Sequence, residues 1–341
     1  MLFIKKQKIL FLLLLLATVF LFLVNISLGS VSIPLKEVVK GIFGQEMQKE
    51  SWEIILWNFR FPKAITAILV GIGLSISGLM MQTLFRNPLA GPYVLGLSSG
   101  ASLGVAFVIL GSGLLPTFIA SFFLSSYGLV MASSLGAFLV LLAVLLVSQK
   151  LKDTMAILIV GLMFGSFTSA IVSVLSYFST AEKLQKFTFW SMGSISNLTW
   201  QEISILSLLT LIGIVLSFTV IKPLNALLLG EKYAQSIGVN YKKTRFLIIV
   251  ATSILAGSIT AFAGPIAFIG LAVPHMAKLL FRTSNHLVLF WSTLLLGALV
   301  MLVCDTIAQV PGNDITLPIN AITSVIGAPI VIWLLVRKKK F

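Results

Sequence analysis

Apolar runs about as long as a membrane is thick recur along the whole chain. They lie near residues 9–28, 62–83, 93–111, 126–148, 154–177, 202–221, 246–263, 265–281, 289–309 and 319–336. A helix needs about 20 apolar residues to cross the hydrocarbon core of a bilayer. Apolar residues make up 58% of the 341 positions and charged residues only 10%, whereas a soluble domain has about 25% charged residues.

A chain of this kind needs lipid as its solvent, and lipid admits few folds. Every backbone polar group must be satisfied within the protein, which leaves helices or closed barrels. Barrel strands are about ten residues long and alternate in polarity, whereas these runs are longer and apolar on all sides. The pattern predicts an all-α, polytopic membrane protein with about ten transmembrane helices, forming one domain over residues 1–341.

The N-terminus resembles a signal peptide but is predicted to be a span. Lys5, Lys6 and Lys8 precede the run at 9–28, and a small-x-small triplet follows at 27–29. The apolar part of a signal peptide is usually 7–15 residues long. The longer run here favours a first transmembrane helix.

The basic residues give the chain an orientation. With the N-terminus in the cytoplasm and the spans alternating, most of the 24 Lys and Arg residues fall on the cytoplasmic side, as they do in membrane proteins generally. Both termini and the loop at 222–245 are then cytoplasmic, and the segment at 178–200 is external. We expect the membrane to be the cell inner (plasma) membrane. Topology therefore explains the formal net charge of +14, and nucleic acid is not an expected partner.

Groups that could carry chemistry are scarce. Two histidines, His275 and His286, and one cysteine, Cys304, form neither a zinc cluster nor a disulfide pattern, so we expect no metal, cofactor or catalytic residue. Asp305 is the clearest ionisable group within a span, and we interpret it as a snorkelling or hydrogen-bonded structural residue rather than part of a proton relay.

The sequence has no phosphate-binding G-x-x-x-x-G-K-[ST] loop. If the chain transports a solute, the energy must therefore come from a partner. An ion-coupled secondary transporter and a membrane-embedded enzyme are the alternatives. The first would need buried ionisable groups and the second a polar catalytic cluster.

The loop at 222–245, called the connecting loop below, contains two short helix signals. Pro223 is expected to end the sixth span, because proline cannot continue a helix. Leu224 to Leu229 form an apolar stretch that predicts one short helix. Gly230 would terminate it.

The second signal runs from Glu231 to Ile237 and is closed by Gly238. Ala234 and Gly238 are four apart, so we expect them to share a helical face on which small side chains admit a partner. Two short helices with exposed leucines are typical of a docking surface. The same composition also fits an apolar loop lying on lipid headgroups.

Two stretches of the sequence are alike. Gly91-Pro92-Tyr93-Val94-Leu95-Gly96-Leu97 is similar to Gly264-Pro265-Ile266-Ala267-Phe268-Ile269-Gly270-Leu271. In this topology the first lies inside and the second outside, as in an inverted-topology internal repeat. Glycines also recur within the spans, where they let helices approach closely. Gly161 and Gly165 in the fifth span are either such packing residues or positions at which the helix moves.

Several motifs together resemble the FecCD-type permeases, which serve importers of iron siderophores, haem and vitamin B12. The motifs are Arg60-Phe61-Pro62-Lys63, Gly78-Leu79-Met80-Met81-Gln82, Arg86-Asn87-Pro88-Leu89-Ala90-Gly91-Pro92, Gly230-Glu231 with Ala234 and Gly238, Gly270-Leu271-Ala272-Val273-Pro274-His275, and Leu317-Pro318 with Gly327-Ala328-Pro329. Together they cover nearly the whole chain, and the combination is more specific than any one of them.

The resemblance implies a type II ABC importer permease, which is not an enzyme. It implies a homo- or heterodimer of permeases, two cytoplasmic ATP-binding subunits and an extracytoplasmic substrate-binding protein. The residues expected to couple to the ATPase are Leu224, Leu228, Gly230, Glu231, Ala234 and Gly238. The residues expected to dock the binding protein are Arg60 and Lys63, and those expected in the transport path or gate are Gly161, Gly165, Asn87 and Pro88.

The chain also departs from the family pattern at one corner. Gln309 stands where an arginine is frequent, Thr316 where a glutamate is frequent, and Asn320 where a glycine is usual. The resemblance therefore does not justify a salt bridge at this corner.

Overall fold

A computed structural model describes residues 2–114, 124–151, 154–196, 198–313 and 315–337. These residues form helices and connecting turns, with no strand among them. The basic residues at 338–340, on which part of the orientation argument rests, lie outside the described residues.

The helices follow one another with short connections. Their bounds are α1 Leu2–Ser27, α2 Leu35–Ile42, α3 Glu50–Ile55, α4 Phe61–Leu84, α5 Leu97–Ile109, α6 Ser126–Lys150, α7 Thr154–Tyr177, α8 Ala181–Ser191, α9 Trp200–Thr219, α10 Ile221–Leu227, α11 Glu231–Ser236, α12 Tyr241–Ala263, α13 Ile269–Phe281, α14 His286–Ala308 and α15 Ile319–Arg337. A π-helical turn, Leu56–Arg60, joins α3 to α4, and 3₁₀ turns at Pro92–Leu95 and Leu110–Leu114 flank α5.

The predicted all-α membrane fold is confirmed, with a helix at each of the ten predicted positions. Within the described residues, seven helical segments are long and apolar enough to cross a bilayer, and three apolar helices are shorter. The shorter ones are α5, α13 and α15. The count of ten spans is therefore approximate.

The two similar Gly-Pro stretches lead into similar local structures. Each is followed by a helix of 13 residues, α5 or α13. In each case the residue before the helix is left-handed, with φ of 78° at Gly96 and 66° at Phe268. The likeness in sequence is therefore also a likeness in local backbone.

Contacts between Cα atoms group the chain into two compact units. The first comprises Met1–Leu79, Ser194–Leu208 and Ile266–Phe341. Within it, α4 packs closely on α14 and α13. The contact with α14 is so close that a Cβ at Gly71 would lie 2.2 Å from the Gly297 carbonyl oxygen. A Cβ at Gly78 would lie 1.7 Å from the Gly270 carbonyl oxygen. Small residues at these positions bring the helix backbones together.

The second unit comprises Met80–Gly193 and Leu209–Pro265. Its α5 and α6 approach each other in the same way. A Cβ at Gly100 would lie 2.6 Å from the Gly136 carbonyl oxygen, and one at Gly136 would lie 2.1 Å from that of Gly100. The short α5 is thus held by a reciprocal glycine contact.

Candidate functional site

The connecting loop folds into two short helices, α10 and α11, as predicted. Gly230 between them has a φ of 120° and Gly238 after them a φ of 91°, values that favour glycine. The N–H groups of Gly238 and Val239 donate to the carbonyls of Gln235 and Ala234, each at 3.0 Å. This is the Schellman arrangement, which satisfies the last carbonyls of a helix.

Pro223 does not end the preceding span, contrary to the prediction. The span α9 ends at Thr219, and Pro223 is the third residue of α10. A proline in the first turn of a helix is tolerated, because the N–H groups there have no partner within the helix. The break falls at Val220, which precedes α10 in a non-helical conformation.

The connecting loop buries some residues that were expected to face a partner, and it exposes others. Ala234 is fully buried and Leu224 nearly so, so these residues hold the short helices against their own chain and do not present a face to a partner. The exposed apolar residues form what we call the outward face, and they are Leu228, Leu229, Tyr233 and Ile237. Three of them were not predicted, although the four-residue spacing of positions 229, 233 and 237 is visible in the sequence.

An arginine at the end of α4 contacts the connecting loop. The Arg86 Nη2 donates to the carbonyl of Leu227, the last residue of α10, at 3.3 Å. The same nitrogen lies 3.2 Å from where a side chain would begin at Gly230. A cation is favourable at a helix C-terminus, where the unpaired carbonyls carry partial negative charge. Arg86 therefore joins the end of α4 to the junction of α10 and α11.

The backbone of Arg86 is left-handed, with a φ of 47°. Its N–H and that of Asn87 donate to the carbonyls of Thr83 and Gln82, each at 3.2 Å. Arg86 thus occupies the position in a Schellman turn that glycine usually takes. A left-handed conformation costs a residue other than glycine about 1–2 kcal/mol. Glycine would fit this backbone better, so the arginine contributes through its side chain.

The predicted gate residues Asn87 and Pro88 form the turn that follows. The Asn87 Oδ1 accepts from the Leu89 N–H at 2.9 Å, and the Asn87 carbonyl accepts from the Ala90 N–H at 3.0 Å. Both Asn87 and Pro88 are partly buried. Arg86 links this turn to α10, and the role of the turn in a transport path stays a prediction.

Gly161 and Gly165 lie on a packing face of α7. A Cβ at Gly161 would lie 2.3 Å from the Val94 carbonyl oxygen, in the 3₁₀ turn before α5. One at Gly165 would lie 3.3 Å from the Ser99 Oγ, near the beginning of α5. These glycines therefore let α7 pack onto the first turn of α5 and the residues before it, and their function in gating stays a prediction.

Another face of α7 is exposed and carries hydroxyl groups. Ser166, Ser169 and Ser173 recur at intervals of three and four residues and are all exposed, so they lie on one side of the helix. No charged residue occurs in α7. The spacing of these serines is readable in the sequence, but only the structure shows that they point outward.

A buried ion pair joins three helices in the first unit. The Lys63 Nζ in α4 lies 3.0 Å from the Asp305 Oδ1 in α14. The Asp305 Oδ2 accepts from the Asn25 Nδ2 in α1 and from the Gln309 Nε2, each at 2.9 Å. Asp305 is 1% exposed. In these four residues, called the corner cluster below, Asp305 is buried and hydrogen-bonded rather than snorkelling, and its structural role stays a prediction.

Arg60 is also engaged within the chain. Its Nη1 donates to the carbonyls of Ile26 and Ser27, each at 2.8 Å, and its Nη2 donates to the Val31 carbonyl. Arg60 and Lys63 therefore both have internal partners, with which an acidic binding protein would have to compete. Docking through these two residues stays a prediction.

Comparison with known proteins identifies the chain. Residues 15–337 match the FecCD transport family. The chain belongs to that family. As a FecCD protein it is a permease subunit of an ABC transporter and not an enzyme, and the predicted resemblance is confirmed.

Curated relatives and solved structures agree with the FecCD assignment. The vitamin B12 import system permease protein BtuC of Klebsiella pneumoniae subsp. pneumoniae is 36% identical over 290 residues, 84% of each chain. BtuC of Salmonella typhimurium is 35% identical over 289 residues, covering 84% of this chain and 85% of its own.

Among solved structures, an inward-facing metal-chelate type ABC transporter matches with a TM-score of 0.84 and 30% identity, over 97% of this chain and 99% of its own. PsaBC from Streptococcus pneumoniae, solved in complex with Fab, matches with a TM-score of 0.56 and 16% identity, over 88% of this chain and 95% of its own. This second match concerns the fold alone.

Two departures from the FecCD pattern now have a physical explanation. A salt bridge, between Lys63 and Asp305, is present at the corner where the resemblance did not justify one. Because Lys63 already neutralises Asp305, no arginine is needed at position 309, and the neutral Gln309 completes the corner cluster. The Asn320 Oδ1 accepts from the Ala267 N–H at 2.9 Å, a bond that glycine could not make. Thr316 is exposed, and nothing in the structure explains it.

Proposed function

We propose that this chain is the membrane subunit of a binding-protein-dependent importer of a metal chelate, driven by ATP hydrolysis in partner subunits. The working complex would contain two permeases, identical or different, two cytoplasmic ATP-binding subunits and an extracytoplasmic binding protein. It would lie in the cell inner membrane with both permease termini in the cytoplasm. The FecCD assignment supports this proposal over an ion-coupled carrier, and the basic residues of the predicted cytoplasmic loops support the orientation.

The contact of Arg86 with α10 carries the mechanistic part of the proposal. ATP binding would move the connecting loop, and Arg86 would transmit that movement to the turn at Asn87 and Pro88. A single side chain can do so because it bridges two backbone segments that are distant in sequence. Alternating access would follow from the displacement of this turn at the cytoplasmic end of α4.

The outward face of the connecting loop is the proposed contact with the ATPase. It places apolar side chains on a loop that the charge distribution assigns to the cytoplasm. Aromatic and aliphatic anchors of this type fill pockets at protein interfaces. Leu224 and Ala234 would support the face from beneath, and Gly230 and Gly238 would set the directions of its two helices.

For the substrate we propose a cobalamin-type corrinoid, with an iron siderophore or haem as alternatives. The names of the curated relatives support the corrinoid. The serine-bearing face of α7 is uncharged, which suits a bulky chelate whose metal is neutralised by its own ligands. Uptake of labelled cyanocobalamin, a ferric siderophore and haem by the reconstituted complex would decide among the three.

Arg86→Gly tests the coupling proposal, and Arg282→Gly is a matched control. Arg282 also ends a helix, α13, in a left-handed conformation, with a φ of 48°, and it is exposed. Both substitutions relieve the same backbone strain. We expect Arg86→Gly to keep the complex assembled and at least as stable as wild type, but to hydrolyse ATP without uptake. Arg282→Gly should transport normally.

Normal uptake by Arg86→Gly, in a complex with normal ATPase activity, would refute the role of Arg86. Equal loss of uptake in both variants would refute it as well, since strain rather than the contact would then be responsible.

Orientation is tested with cysteine probes on the Cys304→Ala background. A probe at Ser196 should react with an impermeant maleimide added outside intact cells, whereas one at Gln235 should react only after permeabilisation. Both positions are exposed in the permease chain, so neither probe is buried within the permease itself. Labelling of Gln235 in intact cells would reverse the proposed topology.

A further inference from the structure

The short helix α2 has an apolar edge that no part of the described chain covers. Leu35, Val39 and the capping residue Phe43 are four apart, so successive members are offset by about 40° around the helix. All three are exposed, Phe43 by 75%. We propose that α2 lies in the headgroup region of the bilayer and inserts this edge among the lipid chains.

The height of α2 relative to the membrane follows from its attachment to α1. The Ile33 N–H donates to the Ser27 carbonyl at 3.0 Å, and the Ser27 Oγ donates to the Ile33 carbonyl at 2.6 Å. These bonds hold the start of α2 at the level where α1 ends. With 26 residues, α1 is about 39 Å long, and the hydrocarbon core is about 30 Å thick. The end of α1 therefore lies near the headgroups, and α2 lies there with it.

Contacts on the opposite side of α2 fix the direction of the apolar edge. Glu37, Val38 and Gly41 are buried, and a Cβ at Gly41 would lie 2.8 Å from both the Leu56 Cδ2 and the Met47 Sδ. This packing leaves α2 no freedom to turn over. Its exposed edge must therefore face whatever surrounds the protein at this level.

The packed side of α2 also contains a hydrogen-bonded carboxylate, that of Glu37. The Glu37 Oε1 pairs with the Lys40 Nζ at 2.7 Å, and its Oε2 accepts from the Gln48 N–H at 2.8 Å. These bonds also hold the turn that follows α2. Glu37 therefore belongs to the packed side, where its charge is matched, and not to the exposed edge.

The charges beside the apolar edge favour lipid over a protein partner. Lys36 and Lys40 border it on the polar side of α2. Basic side chains beside an apolar stripe are typical of interfacial helices. Two apolar residues of an eight-residue helix and its capping residue are also too few for a stable protein interface, which needs roughly 1,000 Å² or more of buried surface.

The helix to which α2 is attached has a lipid-facing surface of its own. α2 packs on α1, and α1 exposes apolar side chains between Ile9 and Phe20: Ile9, Leu12, Leu13, Leu15, Leu16, Val19 and Phe20. Because α1 crosses the membrane, those side chains contact lipid. The same lipid surrounds α2 at the end of α1.

Spin labels on the full-length permease test the proposal. Single cysteines would replace Leu35, Val39 or Phe43 on a Cys304→Ala background, with Gln45 in the exposed turn after α2 as the matched control. The permease would be reconstituted into vesicles of phosphatidylethanolamine and phosphatidylglycerol. Collision of each label with oxygen, which concentrates in lipid, would be compared with collision with a water-soluble nickel chelate.

We expect the ratio of oxygen to nickel collisions to be several-fold higher at the three edge positions than at Gln45. A ratio at the edge equal to that at Gln45 would place α2 in water and overturn the proposal. Low collision rates with both reagents would mean that protein covers the edge, either a second copy of the chain or another part of it, and would overturn the proposal too. An unchanged gel-filtration profile of each labelled protein shows that the variants are folded.

Discussion

Replacement of Lys63 by methionine removes the cation from a buried carboxylate, and we predict that it destabilises the permease by about 3–4 kcal/mol. At 3.0 Å and an effective dielectric constant of 20, the direct attraction is about 5–6 kcal/mol, before any cost of desolvation. Measured losses on breaking a buried pair are about 3–5 kcal/mol.

The reverse substitution, Asp305→Asn, should be milder. The Lys63 side chain is 14% exposed and lies in the first turn of α4, so its ammonium can reach the headgroups once the carboxylate is gone. The introduced side-chain amide would retain an acceptor for the amide groups of Asn25 and Gln309, and we expect a loss of about 1–2 kcal/mol. It follows that Asp305→Asn should rescue Lys63→Met, since the double variant buries no unpaired charge.

The native cysteine provides the assay. Cys304 is fully buried, so a fluorogenic maleimide reacts with it only as the protein unfolds on heating. We expect a fall of several degrees in the midpoint for Lys63→Met, and a smaller fall for the double variant than for that single one. A double variant that is as unstable as Lys63→Met, or more so, would refute the reasoning from unpaired charge.

Backbone geometry and charge lead to three further predictions. Gly78→Ala should destabilise the permease by about 1–3 kcal/mol, since the new Cβ would lie 1.7 Å from a carbonyl oxygen of α13. The control is Gly257→Ala, whose new Cβ would meet nothing within 4 Å. In the same thiol assay this control should lose no stability. Gly238→Val, at a φ of 91°, should leave the protein inserted but release the ATPase or separate hydrolysis from uptake, measured by co-purification and chelate uptake; normal values for both would contradict the coupling role. The pKa of Glu37 is held below its ordinary value by hydrogen bonds from a lysine ammonium and a backbone N–H. Glu37 therefore holds the turn after α2 fully when the pH is above the ordinary pKa of a glutamate. This hold is lost as the pH falls through the lowered pKa. A spin label at Gln45 should therefore be immobile at pH 7 and gain mobility only in acid, whereas in Glu37→Gln it should be mobile already at pH 7; a label indifferent to both changes would contradict this.

Much of the helix pattern is predictable from the sequence because lipid imposes a strong and local condition. Each span needs a long apolar run, and such runs are visible without knowledge of their neighbours. The turns of the connecting loop are equally local, since Gly230 and Gly238 mark the points where a backbone must leave the helical region. Pro223 was placed wrongly because a proline in the first turn of a helix and one just after a helix give the same sequence signal.

The contacts that define the candidate site are not local, and the sequence does not contain them in readable form. Lys63 and Asp305 come together only through the packing of α4 against α14. A small residue such as Ala234 suits a buried helix face and a partner-facing one equally well, so the residue type alone cannot tell which face it lies on. The left-handed backbone of Arg86 is equally hidden, since arginine is a residue that seldom adopts it.

The short helices α5 and α13 also have a consequence for how the chain is made. At 13 residues each they are about 20 Å long, so neither carries enough apolar length to leave the translocation channel for lipid alone. The irregular Gly-Pro stretch before each also exposes backbone groups that lipid cannot satisfy. α5 is held by α6, which is synthesised after it, so α5 should remain at the channel until α6 emerges. We therefore expect the helices of this permease to be released from the channel in groups rather than one at a time.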